Sequence, residues 1–171
     1  MQAGVGDDEL LDTWRLQSVS DTGLGPRADG AFDAFARLVC RFLDVPTSLV
    51  SLVDDERQFF PGAQGLDGAA GEARETPLSH SLCQMVVRTG APLVIADAAA
   101  DALTCTSQAV SELGVAAYAG MPLRDDDGRV LGSLCAIDVE PRRWTHSEVE
   151  TLRDLADACS AELRLRIHAT R

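Results

Sequence analysis

Two long apolar segments separated by a polar turn, residues 115–123 and 130–138, constrain the fold more than any other feature of this sequence. Both are rich in β-branched and small apolar residues, and the polar residues 124–129 between them include Gly128, which tolerates the positive φ of a turn. The pattern predicts a long antiparallel hairpin. Because nearly every residue of both arms is apolar, neither face can be left to water, and we expect the hairpin inside a sheet that is covered on both sides.

Amphipathic segments before and after this hairpin predict helices. Asp29 can cap a helix with apolar residues every three or four positions, and Pro46 ends it. Near the other end of the chain, Thr145 and Glu148 have the spacing of a capping box. The helix that follows carries an apolar stripe that either packs on the sheet or pairs with a second copy of the chain. The stripe consists of Val149, Leu152, Ala156, Cys159 and Leu163.

Shorter elements are predicted around a long connection. Residues 47–53 and 58–60 indicate a first hairpin, residues 92–96 a strand and residues 107–113 a short helix. Residues 61–77 contain four Gly and no pattern that would hold a regular element together, so we expect a lid or a mobile loop there. Ser79 is expected to cap the next helix.

An opening helix over residues 7–17 would place Leu10, Leu11 and Trp14 on one side. A loop over residues 18–29 would then lead into the main domain. The expected organisation is an N-terminal helix and linker over 1–28, a domain over 29–167 whose last helix covers 145–167, and a tail over 168–171.

Composition and charge exclude several classes of function. The formal net charge of -12 repels the phosphates of nucleic acids and anionic lipids, and we find no basic patch that would offset it. All 15 basic residues are Arg, and the absence of Lys excludes Schiff-base lysine chemistry. No apolar run approaches the roughly 18 residues of a membrane span, and the N-terminus lacks a signal-peptide pattern. We therefore expect a cytoplasmic protein, and the Ala- and Gly-rich composition suggests a GC-rich bacterial genome.

The cysteines indicate a reducing compartment. They are odd in number and include no Cys-x-x-Cys pair, so neither a disulfide framework nor a zinc ribbon is predicted. The five are Cys40, Cys83, Cys105, Cys135 and Cys159.

Five blocks of sequence, in this order and at this spacing, carry a family resemblance. They are residues 58–60 (QFF), 75–83 (ETPLSHSLC), 90–97 (GAPLVIAD), 118–123 (YAGMPL) and 131–138 (LGSLCAID). From about Phe32 to Leu163 the chain closely resembles the bacterial GAF modules found ahead of signalling output domains. The resemblance implies an α+β fold of the GAF/PAS type, with a central, mostly antiparallel sheet of five or six strands. It places the terminal helices on one face and a ligand pocket, under a lid and short helices, on the other.

Family members use that pocket for cyclic nucleotides, bilins, haem or small metabolites. The expected pocket residues combine polar groups at a helix start, where free N–H groups favour an anion, with the aromatic face and hydroxyl of Tyr118. Aromatic residues in strands are more often core than ligand contacts. The candidate set is Phe59, Phe60, Ser79, His80, Ser81, Cys83, Asp97, Tyr118 and Cys135.

Several cofactors are not expected, and the ligand is left open. The Asn-Lys-Phe-Asp-Glu signature of the members that bind cyclic nucleotides cannot occur in a chain without Asn or Lys. No Cys is followed by His, as phytochrome-like bilin attachment requires. His80 alone is weak evidence for a haem ligand, and the spacing of His80 and Cys83 without a second close pair is weak evidence for a metal. Haem, bilin and metal are therefore not predicted.

The enzymatic alternative is a GAF-type free methionine-(R)-sulfoxide reductase. By resemblance, Cys105 would be the nucleophile, Cys83 would resolve the sulfenic acid, and Asp138 would hold the amino group of the substrate. Tyr118-Ala119-Gly120-Met121 stands where those enzymes carry a further acidic residue.

The sequence thus favours a sensory or regulatory domain in bacterial signal transduction that has no catalysis of its own. We expect it to bind a small molecule, to form a homodimer through its terminal helices and to act on an output domain or protein. The reductase and a dimerisation module without a ligand are the alternatives.

Overall fold

A six-stranded antiparallel sheet with helices on both faces forms the protein in the computed structural model, which describes residues 7–171. The helices are α1 (Asp7–Leu10), α2 (Thr13–Asp21), α3 (Gly30–Leu43), α4 (Gly68–Ala73), α5 (Cys83–Thr89), α6 (Gln108–Leu113) and α7 (His146–Thr170), with a single 3₁₀ turn at Leu78–His80. The strands are β1 (Thr47–Val53), β2 (Arg57–Gln64), β3 (Glu75–Pro77), β4 (Leu93–Ile95), β5 (Ala117–Arg124) and β6 (Val130–Asp138).

The long apolar hairpin lies inside the sheet, as the sequence predicts. The strand order is β3-β2-β1-β6-β5-β4, so β1 and β6 are central and β5 has a neighbour on each side. In the hairpin Met121 faces Leu134, and Gly128 adopts a φ of 82° in the turn. Both faces of the hairpin are covered, which confirms the α+β architecture.

One face of the sheet packs against α2, α3 and α7. Phe32, Val39, Leu152 and Leu163 are buried there, together with Phe59 from the sheet. The apolar stripe of α7 therefore packs on its own sheet, which was one of the two interpretations of its spacing. The predicted capping box at Thr145 is present and fixes the start of this helix.

The other face packs against α1, α5 and α6. Its cluster includes Leu10, Phe60, Val86, Ala109 and Tyr118. Because Leu10 lies in this second cluster, the terminal helices are not all on one face. The expected arrangement is correct for α2, α3 and α7 and wrong for α1.

The opening segment differs from the single helix predicted over 7–17. It breaks after Leu10, and the side chain of Asp12 caps α2 by accepting a hydrogen bond from the Arg15 backbone N at 3.0 Å. Leu10 is buried, whereas Leu11 and Trp14 are exposed, so these three residues do not share a face. Residues 1–6 of the predicted N-terminal segment lie outside the described residues.

Arg15 holds the opening segment against the end of the sheet. Its side chain is 2% exposed, and its guanidinium donates to the backbone O of Val53 at 2.6 Å and of Leu10 at 3.1 Å. Burial lowers the pKa of Arg15, and the negative charges of Asp54 and Asp12 offset part of this shift.

The connection over 61–77 contains regular structure, which corrects the expectation of a featureless loop. β2 continues to Gln64, α4 follows, and β3 then pairs with β2 at the edge of the sheet. None of the residues of α4 is buried, so this helix covers the sheet without entering its core. The next helix begins at Cys83 rather than at Ser79, which lies in the 3₁₀ turn.

Candidate functional site

A cavity of about 490 Å³ lies between the sheet and the segment that contains α4. Ligand pockets in proteins typically measure about 300–1,000 Å³. Strands β1, β2, β5 and β6 form its floor, α5 and α6 form its walls, and residues 65–70 form its cover. Its lining is Thr47, Leu49, Gln58, Phe60, Gly65, Leu66, Asp67, Gly68, Ala69, Ala70, Thr76, His80, Leu82, Cys83, Ala109, Glu112, Leu113, Val115, Tyr118, Ile137 and Val139.

Tyr118 connects the floor of the cavity to a buried polar cluster. Its hydroxyl lies 3.1 Å from the Cys83 Sγ and 3.2 Å from the Ser133 Oγ. The side chain crosses Gly120, where a Cβ would lie 2.4 Å from the Tyr118 hydroxyl oxygen. Only a residue without a Cβ leaves room for the ring in this position.

Two thiols in this cluster have opposite pKa shifts. A hydrogen bond from Cys135 lowers the pKa of Cys83 to about 7 despite burial, and Tyr118 assists. The same hydrogen bond, together with burial, raises the pKa of Cys135. Burial and the nearby thiols likewise raise the pKa of Tyr118. Cys83 is the residue of this group that ionises most easily, because its charged form accepts hydrogen bonds from the other members.

Gln58 fixes the segment that leads into α5. Its Oε1 accepts hydrogen bonds from Ser51 at 3.0 Å and from Ser81 at 2.7 Å. Its Nε2 donates to Thr76 Oγ1 at 2.7 Å and to the His80 backbone O at 3.2 Å. These bonds hold β2, β3 and the 3₁₀ turn in one arrangement, so this wall is rigid.

His80 and Glu112 meet at the mouth of the cavity. The His80 Nε2 contacts a carboxylate oxygen of Glu112. The side chain of His80 is 18% exposed and that of Glu112 is 56% exposed, so the pair bridges the 3₁₀ turn and α6 at the boundary with solvent.

The charges of the lining are unequal. Asp67 and Glu112 contribute carboxylates, whereas no lining side chain within residues 7–171 is an Arg. The chain contains no Lys. The described lining therefore offers a phosphate or carboxylate ligand no Arg or Lys side chain with which to pair.

The structure brings some of the predicted site residues together. Phe60, His80, Cys83 and Tyr118 line the cavity, and Cys135 lies beneath them, fully buried. Whether they bind a ligand stays a prediction.

Other predicted residues lie elsewhere. Phe59 packs in the cluster of the opposite face, because adjacent residues of a strand point to opposite sides. Ser81 is buried and hydrogen-bonded to Gln58, while Ser79 and Asp97 are exposed outside the lining. These four residues do not line this cavity, and their role in ligand binding stays a prediction.

The residues of the reductase hypothesis are not assembled around the cavity. Cys105 is exposed and absent from the lining. Asp138 is half-buried, and its carboxylate accepts a hydrogen bond from Arg142 at 3.2 Å. Of the three, only Cys83 reaches the cavity.

Sequence reasoning missed Gln58, Thr47, Asp67 and Glu112 in the lining. Gln58 gave a usable signal, since a polar residue two positions before Phe60 in a strand shares its face. No local pattern identifies Asp67 or Glu112 as site residues. Asp67 lies in the cover and Glu112 in α6, and the positions of both segments depend on the tertiary fold. Over the described part of the chain, none of the helices has the length and apolar character needed to cross a membrane.

Comparisons with known proteins agree with this architecture. A family model described as GAF domain matches residues 27–163. A cyclic di-GMP phosphodiesterase of Pseudomonas aeruginosa is 34% identical over 116 residues, which make up 67% of this chain and 19% of that protein. The chain therefore spans about a fifth of the length of this curated relative.

Solved structures show the same fold. The GAF domain of a phosphoenolpyruvate-protein phosphotransferase from Coxiella burnetii has a TM-score of 0.69 at 18% identity, covering 95% of this chain and 97% of that one. The free methionine-R-sulfoxide reductase of Neisseria meningitidis has a TM-score of 0.62 at 18% identity, with coverages of 92% and 87%.

Proposed function

We propose that this chain, which belongs to the GAF domain family, is a regulatory module that binds a small neutral or cationic molecule and has no catalysis of its own. The observation that carries the proposal is the cavity of about 490 Å³ with its acidic lining. Its volume suits a metabolite, and its floor is apolar with a few polar groups, which is typical of ligand pockets.

The lining supports a neutral or cationic ligand over an anionic one. A phosphate in the cavity would lie near the carboxylates of Asp67 and Glu112, and no Arg or Lys side chain of the described lining would offset its charge. An amine or a neutral ligand can instead use these carboxylates and the side chains of Thr47 and Thr76 as hydrogen-bond acceptors. The nucleotide chemistry named for the Pseudomonas relative is accordingly not part of this proposal.

The cover supports a regulatory role. None of the α4 residues is buried, and the φ angles of Gly65 and Gly68 before and at its start are 75° and 72°. Because α4 buries none of its residues, opening this helix away from the sheet exposes little apolar surface. A ligand that binds better when the cover is closed shifts the population toward that state. In a signalling protein, an output domain or partner would sense the change in the cytoplasm.

A pair of substitutions on α4 tests ligand binding. Ala70 lines the cavity, whereas Ala73 is exposed on the same helix and absent from the lining. In thermal-shift assays against amines, neutral metabolites and nucleotides, we expect amines or neutral compounds to raise the melting temperature of wild type and of Ala73→Trp. Ala70→Trp should lose this response, because the indole fills the cavity.

Two results would contradict the proposal. One is a stabilising nucleotide whose effect persists in Ala70→Trp. The other is turnover of free methionine sulfoxide in a thioredoxin-coupled assay, which would restore the reductase hypothesis and exclude a purely regulatory module.

We further propose that the module forms a homodimer through its terminal helices. Large apolar side chains are exposed there: Trp14 on α2, Phe42 on α3 and Leu165 on α7. Burying these side chains between the terminal helices of two copies would remove apolar surface from water, which favours association. Light scattering coupled to size exclusion should give twice the chain mass, and Trp14→Glu together with Leu165→Glu should return the monomer. A wild-type monomer at micromolar concentration would refute this.

A further inference from the structure

Two thiols from distant parts of the chain meet beneath the cavity. Cys83 is the first residue of α5, and Cys135 lies in the central strand β6. Cys135 is the cross-strand partner of Gly120, and the Tyr118 hydroxyl lies over Gly120. The Cys83 sulfur is 3.1 Å from that hydroxyl, so both thiols lie beside the end of the Tyr118 side chain. Cys83 lines the cavity, whereas Cys135 is 0% exposed. A reagent in the cavity therefore reaches Cys83 first, and Cys135 is the thiol next to it.

The other cysteines are in different environments. Cys105 is exposed on a turn, Cys159 is buried in the core of the opposite face, and Cys40 is half-buried against that same core. Burial raises the pKa of both Cys159 and Cys40. Burial therefore disfavours the thiolate form of Cys159 and Cys40. The hydrogen-bond donors around Cys83 instead stabilise its thiolate, which is the reactive form of cysteine.

We propose that Cys83 and Cys135 are a redox-active thiol pair that a small hydroperoxide entering the cavity oxidises to a disulfide. The Cys83 thiolate attacks one peroxide oxygen, so that an S–O bond forms, the O–O bond breaks and hydroxide leaves to become water. The Cys135 sulfur then attacks the sulfenic acid of Cys83, its proton leaves with the hydroxyl as water, and an S–S bond forms. Two thiols are oxidised and one peroxide is reduced. A dithiol reductant reverses the change.

This pair gives the domain a second input that does not depend on a ligand. The disulfide would join α5 covalently to β6 and remove the sulfur acceptor from the Tyr118 hydroxyl. Both changes fall on the floor of the cavity, so oxidation should alter the site that the ligand would occupy.

The positions of the arginines allow a direct test, since trypsin places the relevant cysteines on separate peptides. Cys83 lies in residues 75–88, Cys135 in residues 130–142 and Cys105 in residues 89–124. Reduced protein is treated with hydrogen peroxide, its remaining thiols are alkylated under denaturing conditions, and the digest is analysed by mass spectrometry. We expect peptides 75–88 and 130–142 to be linked, with a mass two hydrogens below their sum, and dithiothreitol to release them.

Variants separate this pairing from general oxidation. Cys105→Ser removes an exposed thiol and should leave the linked peptide unchanged. Cys135→Ser should stop the reaction at the sulfenic acid of Cys83, which a dione reagent traps. Tyr118→Phe keeps both thiols and should slow the linkage at pH 7, which gives a readout even if Cys135→Ser folds poorly. Complete alkylation of Cys83 and Cys135 after peroxide treatment, or a linkage that uses Cys105, would overturn the proposal.

Discussion

Adding one methyl group at Gly120 should disrupt the floor of the cavity. A Cβ at this position would lie 2.4 Å from the Tyr118 hydroxyl oxygen and 2.7 Å from both the Tyr118 Cε1 and the Ser133 Oγ. The φ of Gly120 is not in the positive region, so Gly120→Ala creates a problem of space and not of backbone strain. The Tyr118 side chain must therefore move, and the open direction is into the cavity that it lines.

The expected cost can be worked out from these contacts. Displacing Tyr118 breaks its hydrogen bonds to Cys83 and Ser133, each worth about 1 kcal/mol. Overpacking a well-packed core typically adds about 1–3 kcal/mol. We expect Gly120→Ala to lower the free energy of unfolding by about 3–5 kcal/mol overall and the melting temperature by roughly 6–20 °C.

Urea unfolding followed by circular dichroism measures this effect. The matched control is Gly30→Ala in α3, where a Cβ would meet no atom within 4 Å, and its stability should be unchanged or raised by up to about 1 kcal/mol. Adding Tyr118→Phe to Gly120→Ala removes the closest contact, so the double variant should be about 1 kcal/mol more stable than the sum of the two single effects predicts. A Gly120→Ala variant within 0.5 kcal/mol of wild type, on the order of ordinary surface changes, would refute this account.

Three further predictions follow from ionisable groups. Since the pKa of Cys83 is about 7, its alkylation rate should rise with pH through that value, and Tyr118→Phe should move the midpoint upward. A hydrogen bond from Arg166 lowers the pKa of Asp29, so the stability that this pair contributes is present above the unfolded-state pKa of the carboxyl and is lost as the pH falls through its folded-state pKa. Asp29→Asn keeps the helix cap and should cost about 1 kcal/mol at pH 7, with a gap from wild type that closes in acid urea titrations. Arg15→Leu should cost about 3 kcal/mol by the same measurement, because buried carbonyls lose their donor.

Local sequence determines the central hairpin and the last helix. The hairpin is predictable because two uninterrupted apolar arms around a polar turn exclude an exposed position. The last helix is predictable because its two signals, the Thr145–Glu148 capping box and the apolar stripe of α7, each consist of residues only one or two turns apart. The break in the opening segment is harder to predict, because Asp12 starts a new helix with a cap of its own inside an apparently continuous pattern.

The site was harder to predict because both faces of its strands are apolar. Alternation along β2 shows that Phe59 and Phe60 point in opposite directions, but an apolar run gives no indication of which face carries the cavity. The contact between Cys83 and Cys135 depends on where α5 packs on β6, which no spacing within either element encodes. The helix in the cover is not predictable from hydrophobic periodicity, because α4 contains Gly and buries none of its residues.

The ligand and the redox pair share one floor, and this makes the two proposals linked in a measurable way. A ligand in contact with Tyr118 and Cys83 would stand between the thiol and an incoming hydroperoxide, so occupancy should slow disulfide formation. If the ligand also binds the dithiol and disulfide forms with different affinities, it shifts the equilibrium between these two forms by the same factor. Measuring peroxide-driven linkage with and without a compound found in the thermal-shift screen tests the link. Equal rates at saturating compound would place that compound away from Cys83 and separate the binding site from the thiol pair.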